Sequence, residues 1–479
     1  MSTLTWTEFV AKPEVKEALV ALKNAARRVL PAASFAEREA ALLALFEEAG
    51  RGLLEEELQS LADGFGARLL VGGVEYKKHE LGAVQYYCLG GTLHVRRDSY
   101  RRVGVHNGPT VVPLELVAGL AEGATPALAY NVLHGYAERD MRQHLESLES
   151  AHRVPPPRAT LERIAKRLAK AAHGAAPRVE VLLRQTEKLP DGARAVCIGL
   201  DRTSVPMAEE RAACTPAKPE RKRRKPRKRR APKPFDVNFR MAYVGTVSVV
   251  DEHGEALVTR RYAAPACDDP SALVAKMTAD VRTALRRDRT LMVGTVQDGA
   301  PEMWTLTRDG LAKLRQQGVL DRWEEGIDRY HLLERLGAAL ELIEPSAAER
   351  SRQLGEWNER LDAQDSAIDA IEHQLEIHYA ELPGAKREQL WEHLVYLANN
   401  KDRMRYVSLS SSSLPIGSGV TESAAKTLVG RRAKNSGQRW SQAGLRGVLT
   451  LRALRQSDRL PRFWSHLSRR YVANVAEAA

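Results

Sequence analysis

The sequence predicts an α/β protein: a core of short buried strands, interrupted by an all-α insertion and preceded by a mainly α N-terminal region. Three observations predict it. Residues 193–207, ARAVCIGLDRTSVPM, carry an apolar run rich in β-branched residues that ends on one carboxylate, Asp201, as a buried central strand would. Residues 239–264 place two β-rich runs around Asp251-Glu252-His253-Gly254, followed by a helical pattern and a second short apolar run, 290–299, ending at Asp298. Residues 319–405 are strongly helical in pattern.

The chain as a whole sets the class. Its 479 residues suffice for several domains, and 43% hydrophobic with 28% charged residues is ordinary globular composition. The four cysteines, Cys88, Cys197, Cys214 and Cys267, are scattered without a CxxC pair. That argues against a zinc ribbon or a disulfide framework and fits a reducing cytosol. The N-terminus carries charges where a signal peptide needs an apolar core, and no apolar run approaches a transmembrane length. A soluble, cytoplasmic protein without a membrane partner is expected. The formal net charge is +12, and eleven Lys or Arg against one Glu between positions 218 and 233 supply +10 of it. One basic patch in a balanced body suits a polyanion.

In order, residues 1–110 read as helices followed by short strands. A helical pair is expected before residue 65, then Gly-Gly punctuated strands over 66–117. There Arg96, Arg97, Arg101 and Arg102 with Tyr100 fit either a nucleic-acid contact or a solvated edge strand. Residues 111–185 return to helix. Thr125-Pro126 starts one cleanly, and after VPPP (154–157) a helix sets Leu161, Ile164, Ala165 and Leu168 on one face. Arg163, Lys166 and Arg167 occupy other positions, as in the recognition helix of a helix-turn-helix unit or in an ordinary amphipathic basic helix. Residues 173–192 read as a linker or a lead-in to the Asp201 strand.

Residues 190–318 hold the first part of the core. A carboxylate at a strand end is costly to bury unless paired or metal-bound; taken alone, Asp201 also reads as a capping or turn residue. The run RKRRKPRKRR (221–230), which includes Arg221, Lys222, Arg223 and Arg224, cannot make a core and reads as a phosphate-binding loop or a solvated insertion. Asp269-Pro270 caps a helix, and Gly299 after Asp298 allows a tight turn. Residues 319–408 form the helical insertion. Its His331, His373, His378 and His393 lack the paired spacing of a zinc helix and read as packed or surface histidines. Residues 409–470 complete the core. Gly417, Ser418 and Gly419 turn into a helix carrying Glu422, with Lys426 one turn on and Arg431, Arg432, Lys434 and Arg439 after it. The Gly-rich turn fails the P-loop register, and GSG is not a GxSxG nucleophile elbow. Strand, hairpin, helix, strand, with acids ending the first and last strands, is the order of an RNase H-like α/β domain.

At CIGLDRTSVPM, VGTVQDG, IDRYHLLERL, IGSGVTESAAKTLVGRRAKNSGQRWS and LTLRALRQSDRLPRFW the chain resembles the DDE transposases of bacterial insertion sequences, in particular the ISKra-type group. The resemblance covers roughly residues 100–465. Asp298 lies 97 residues after Asp201 and Glu422 lies 124 after Asp298, the longer gap holding the insertion. The resemblance implies that Asp201, Asp298 and Glu422 hold two Mg²⁺, with Mn²⁺ as substitute. Water would cut an element end to leave a 3′-OH, and that hydroxyl would attack target DNA. Lys426, Arg431, Arg432, Lys434 and Arg439 would steady phosphates, with Arg163, Lys166, Arg167 and the basic run adding DNA contacts. Trp440 would stack on a displaced base or belong to the core. Double-stranded DNA, as element ends and as target, and a homo-oligomer on paired ends are the implied partners, and the protein would associate with the nucleoid. One departure stands out. Some relatives carry an N-terminal cysteine pair, whereas here only Cys88 lies in that region, so the DNA-recognition module is expected to differ. Two other readings stay open on the residues: a catalytically inactive DNA-binding or regulatory derivative, and an RNase H-like metal nuclease.

Overall fold

A computed structural model describes residues 34–210, 235–435 and 437–478, with six scattered positions between 11 and 24. The chain divides into two compact units, residues 1–168 with 468–479, and residues 169–467.

In the first unit, helix α1 (Phe35–Asp63) starts at a capping box: Ser34 Oγ accepts from Glu37 N at 3.3 Å while Glu37 Oε2 accepts from Ser34 N at 2.7 Å. A five-stranded antiparallel sheet follows. Strands β1 (Arg68–Val71), β2 (Val74–Cys88), β3 (Gly91–Arg102) and β4 (Thr110–Val111) pair in sequence, and the C-terminal strand Val475–Glu477 adds to the free edge of β1. Leu58 and Ala62 of α1 pack on Tyr86, Cys88, Leu93 and Val95. The strands are longer than the short ones expected, 15 residues in β2 and 12 in β3, so this unit carries more sheet than a mainly helical reading allows. The charged run Lys77–Glu80 hides the alternation of β2, which is exposed on both faces there. Tyr100 is fully buried and donates to Gly66 O at 2.6 Å, which makes it a core residue. Helices α2 (Pro113–Ala118), α3 (Pro126–Glu138) and α4 (Met141–Ser150) complete the unit, Pro126 standing at the first turn as expected.

Helix α5 (Arg158–Thr186) runs 29 residues through the segment read as a linker. Ala172, Ala176, Val179 and Leu183 keep its apolar face buried at helical spacing. That burial outweighs the roughly 3 kcal/mol that Pro177 costs inside a helix.

The second unit is a mixed α/β layer structure. Strands β5 (Ala195–Glu210), β6 (Phe235–Val250), β7 (Ala256–Pro265), β8 (Met292–Gln297) and β9 (Glu324–Ile327) form one sheet in the order β7-β6-β5-β8-β9. The first three make an antiparallel meander, and β8 and β9 run parallel to β5. Side chains alternate along β5: Ala195 and Cys197 face one core, Val196, Ile198 and Leu200 the other. The second core is built with α6 (Pro270–Arg287), whose N-cap Asp269 accepts from Ser271 N at 2.9 Å, and with Met303, Leu311 and Leu314 of α7 (Pro301–Gln316). The first is covered by α8 (Arg329–Ile343), α9 (Ala347–Ala363), α10 (Ala367–Glu381), α11 (Gly384–Asn400) and α12 (Tyr406–Ser411). Each fully buried Leu, Val or Phe here contributes about 1.5–3 kcal/mol. The stretch from 319, read as strongly helical, therefore has a strand ahead of its first helix. Glu-Glu-Gly-Ile has weak β propensity, and β9 exists because β8 offers it a parallel edge.

Helix α13 (Gly419–Ala424) continues through a π turn, Ala425–Gly430, into Arg431–Ala433, and α14 (Gln442–Gln456) and α15 (Leu460–Leu467) close the unit. A buried network ties it together. Arg184 Nε donates to Asp280 Oδ1 at 2.6 Å, and Tyr262 Oη donates to Asp280 Oδ2 at 2.5 Å. Arg459 reaches Asp280 at 3.2 Å, Tyr262 at 2.8 Å and both oxygens of Glu187 at 2.9 and 2.7 Å. Among the described residues no helix is long and apolar enough to cross a membrane. The basic run at 221–230 lies outside the described residues.

Candidate metal centre

Strand register sets the two predicted aspartates side by side. β5 and β8 pair with Ala195 opposite Met292 and Ile198 opposite Thr295. Extended three residues, that register sets Asp201 level with Asp298. β8 and β9 pair with Gln297 opposite Ile327, so Asp328 follows level with Asp298. Asp298 and Asp328 thus stand just past the carboxyl ends of β8 and β9, level with Asp201. Asp201 does not end its strand as expected but lies within β5, because β5 stays paired with β6 as far as Glu210. On β5 the neighbours are antiparallel on one side and parallel on the other. Ligands of open α/β sheets bind at such switch points.

Asp201 is half-buried, and its Oδ1 accepts from Arg202 N at 2.6 Å. Its carboxyl is pushed above the ordinary aspartate value, first by burial and then by the charges of Asp298 and Glu422, against the Arg202 amide and His331. Asp298 is exposed. Its Oδ1 accepts from Ala300 N at 3.0 Å across Gly299, whose φ of +92° lies in the left-handed region. A Cβ at 299 would also stand 2.8 Å from the Tyr396 hydroxyl, which donates to Asp298 O at 3.4 Å.

Glu422 comes from α13, and a glycine admits that helix to the sheet. A Cβ at Gly199, two residues before Asp201, would lie 1.8 Å from Thr421 Oγ1. In its place Thr421 Oγ1 packs down and hydrogen-bonds Thr246 Oγ1 at 2.7 Å. Glu422 Oε2 is 3.4 Å from Lys426 Nζ, and Glu422 Oε1 is 3.3 Å from His331 Nε2.

Two residues of the site are not among those the sequence singled out for it. Asp328, 2% exposed, N-caps α8 by accepting from His331 N at 3.0 Å and also accepts from Ser418 N in the turn before Glu422. His331, read as packed or surface, bridges carboxylates: its Nδ1 lies 3.1 Å from Glu334 Oε2 and its Nε2 meets Glu422. Burial works against its protonated form, but the Glu334 hydrogen bond and the charges of Asp328, Glu422 and Glu334 outweigh it and raise its pKa. Donor atoms of Asp328, His331 and Glu422 all lie within 4.8 Å of one another. The signal was present in the sequence: Gly326-Ile327-Asp328 repeats the pattern Gly199-Leu200-Asp201, glycine and an apolar residue before an acid.

Asp201, Asp298 and Glu422 fit a divalent cation by their chemistry. They are oxygen donors, the charges of Asp298 and Glu422 help hold the Asp201 carboxyl above its ordinary value, and a bound cation relieves such repulsion. Among the described residues, the donor atoms that lie within 4.8 Å of one another are those of Asp328, His331 and Glu422.

The cations predicted around the site divide. Lys426, Arg431, Lys434 and Arg439 are exposed; Lys434 donates to Thr203 Oγ1 and Arg439 lies 5.4 Å over the Phe235 ring. Arg432 does not belong with them. It is 3% exposed, stacks 4.7 Å over Trp440 and reaches Gln438 Oε1 at 3.3 Å, so its guanidinium serves packing rather than a phosphate. Trp440 is a core residue, donating from Nε1 to Ala433 O at 3.1 Å while its backbone pairs with β5 at Pro206 and Ala208. Arg163, Lys166 and Arg167 lie exposed on α5 in the first unit, where Lys166 is 3.9 Å from Glu162 and Arg167 is 3.3 Å from Glu122. Arg221, Lys222, Arg223 and Arg224 lie outside the described residues. Among known proteins, no family model and no curated protein matches the chain.

Proposed function

We propose that the chain is a DDE-type transposase with an RNase H-like core, cutting element ends and joining them to target DNA through Asp201, Asp298 and Glu422. One observation carries the reading: register in the parallel strands sets Asp201 level with Asp298, and the charges of Asp298 and Glu422 both act on Asp201. The strand order, an antiparallel meander with two parallel strands added beside its first strand, supports the RNase H-like assignment. Asp201, Asp298 and Glu422 would hold Mg²⁺ or Mn²⁺, which when bound activates a hydroxyl nucleophile and stabilises the leaving oxygen of an in-line displacement. The chain's own part is positional. Gly299 turns the backbone beside Asp298, Gly199 lets Glu422 approach, and Lys426, Arg431, Lys434 and Arg439 offer exposed cations to phosphates. Double-stranded DNA, a homo-oligomer on paired ends and a cytoplasmic, nucleoid-associated location belong to the same proposal.

The test is cleavage and joining of DNA bearing the ends that flank the gene, in Mg²⁺ and in Mn²⁺, with wild type and Glu422→Gln. Joining of a pre-cut 3′-OH end by wild type alone, with DNA binding intact in the variant, is expected. Cutting without joining would make the protein a nuclease, and binding without either reaction would make it a DNA-binding factor.

A further inference from the structure

Three aspartates stand level, yet they are not equivalent. Asp201 and Asp298 each accept one backbone hydrogen bond, at 2.6 and 3.0 Å, on Oδ1. Asp328 uses both oxygens on backbone amides: Oδ1 takes His331 N and Oδ2 takes Ser418 N. The same strand end is tied twice more, Asp328 N donating to Gln297 O at 2.8 Å and Arg329 N to Ile416 O at 3.0 Å. Asp328 therefore fastens two segments far apart in sequence, the first turn of α8 and the 416–418 turn that launches Glu422. The imidazole of His331, set by that first turn, likewise has both nitrogens within reach of carboxylates, Glu334 at 3.1 Å and Glu422 at 3.3 Å. The polar side-chain atoms of both residues are thus engaged within the protein.

We infer that Asp328 and His331 are positioning residues, a clamp and a strut that set where Glu422 stands, and are not themselves cation ligands. The inference rests on reading Asp201, Asp298 and Glu422 as a cation site. It separates the mixed cluster of Asp328, His331 and Glu422, which by proximity alone resembles a three-ligand site, into one ligand and its two supports. Outer partners of this kind set ligand orientation, and their loss typically weakens cation binding about 10–100-fold.

The experiment uses the full chain and Mn²⁺ as probe. Mn²⁺ affinity is measured by electron paramagnetic resonance titration, nitrogen coupling to the bound ion by pulsed methods, and amide exchange over 416–424 by mass spectrometry. Wild type should bind Mn²⁺ without imidazole nitrogen coupling. His331→Ala should bind about tenfold more weakly, and His331→Gln should recover part of the loss because its amide can still donate to Glu422. Asp328→Asn should speed exchange over 416–424 and weaken binding to a similar extent, since one of its two acceptor oxygens becomes a donor facing Ser418 N–H. Should Asp328→Asn not fold, His331→Ala carries the test, because it leaves both hydrogen bonds of Asp328 in place. Nitrogen coupling in wild type that disappears in His331→Ala would make His331 a ligand and overturn the inference. Unchanged affinity with unchanged exchange would overturn it too. If wild type binds no Mn²⁺, or Glu422→Gln binds as wild type does, the cation site itself is refuted; the exchange over 416–424 then decides for or against the clamp.

Discussion

Replacing Gly199 by alanine adds one methyl group where the central strand meets the helix that carries Glu422. The new Cβ would lie 1.8 Å from Thr421 Oγ1 and 3.0 Å from both Thr421 Cβ and Thr246 Oγ1. Ordinary contact begins near 3.4 Å, so α13 must retreat by roughly 1.5 Å or Thr421 must leave its rotamer and its hydrogen bond to Thr246. Overpacking of this kind costs about 1–3 kcal/mol. Because Thr421 precedes Glu422 directly, the displacement passes to the carboxylate. A misplacement near 1 Å at a reacting centre can cost on the order of 100-fold in rate. The assay compares Gly199→Ala with wild type in thermal unfolding, in Mn²⁺ binding and in DNA cleavage. A drop of a few degrees in Tm, weaker Mn²⁺ binding and slower cleavage, by roughly 100-fold, are expected. Adding Thr421→Ala should restore much of the activity, since it removes the 1.8 Å clash and leaves only approaches at 3.0 Å. Gly355→Ala in α9, where an added Cβ meets nothing within 4 Å, is the control and should be neutral or stabilising. Wild-type binding and cleavage in Gly199→Ala would refute the argument that glycine here is what lets Glu422 reach the strand acids.

Three further outcomes follow from the same structure. Because the Asp201 carboxyl is held above its ordinary value of 3.8, its neutral form is favoured in the fold and its ionised form costs stability. That cost is absent below the ordinary value and develops as pH rises through the folded one. Asp201→Asn should therefore raise Tm at pH 7, with the gain shrinking as pH is lowered toward 3.8; equal Tm values at pH 7 would contradict this. Asp280 sits 8% exposed between Arg184, Arg459 and Tyr262. Asp280→Ala leaves two buried guanidinium groups short of an acceptor and should cost about 3–5 kcal/mol in denaturant unfolding, whereas Glu349→Ala, which removes an exposed pair on α9, should change it little. Replacing Arg221, Lys222, Arg223 and Arg224 with alanine should flatten the dependence of log affinity for duplex DNA on log salt by about 0.9 for each phosphate no longer neutralised; an unchanged slope would remove the basic run from the interface.

Local patterns were legible where a short stretch settles its own structure. The Asp269-Pro270 helix start, the 251–254 turn with Gly254 at φ +79°, and the strands at 195 and 292 all follow from residues adjacent in sequence. Other features were not, and for distinct reasons. The linker expected at 173–192 became helix through residue 186 because the packing of Ala176, Val179 and Leu183 overrides one proline. Strand β9 was missed because Glu324-Glu325-Gly326 forms a strand only against β8. Arg432 reads like its basic neighbours, and only the position of Trp440 turns it inward.

By itself the sequence determined which residues are chemically able to form a site: two aspartates that follow apolar β-rich runs, a glutamate beyond a Gly-Ser-Gly turn, and cations from one turn past it. Residue type, apolar run and turn chemistry are local properties, and a linear chain displays them. Tertiary structure alone decided that Asp201 and Asp298 stand level, that Gly199 is the seat of Thr421, and that Asp328 and His331 hold the segment bearing Glu422. Those relations depend on strand register and on atoms from positions 199, 298, 328 and 422 meeting in space, and register between distant strands is set by the packing of whole faces, which no short stretch of sequence contains.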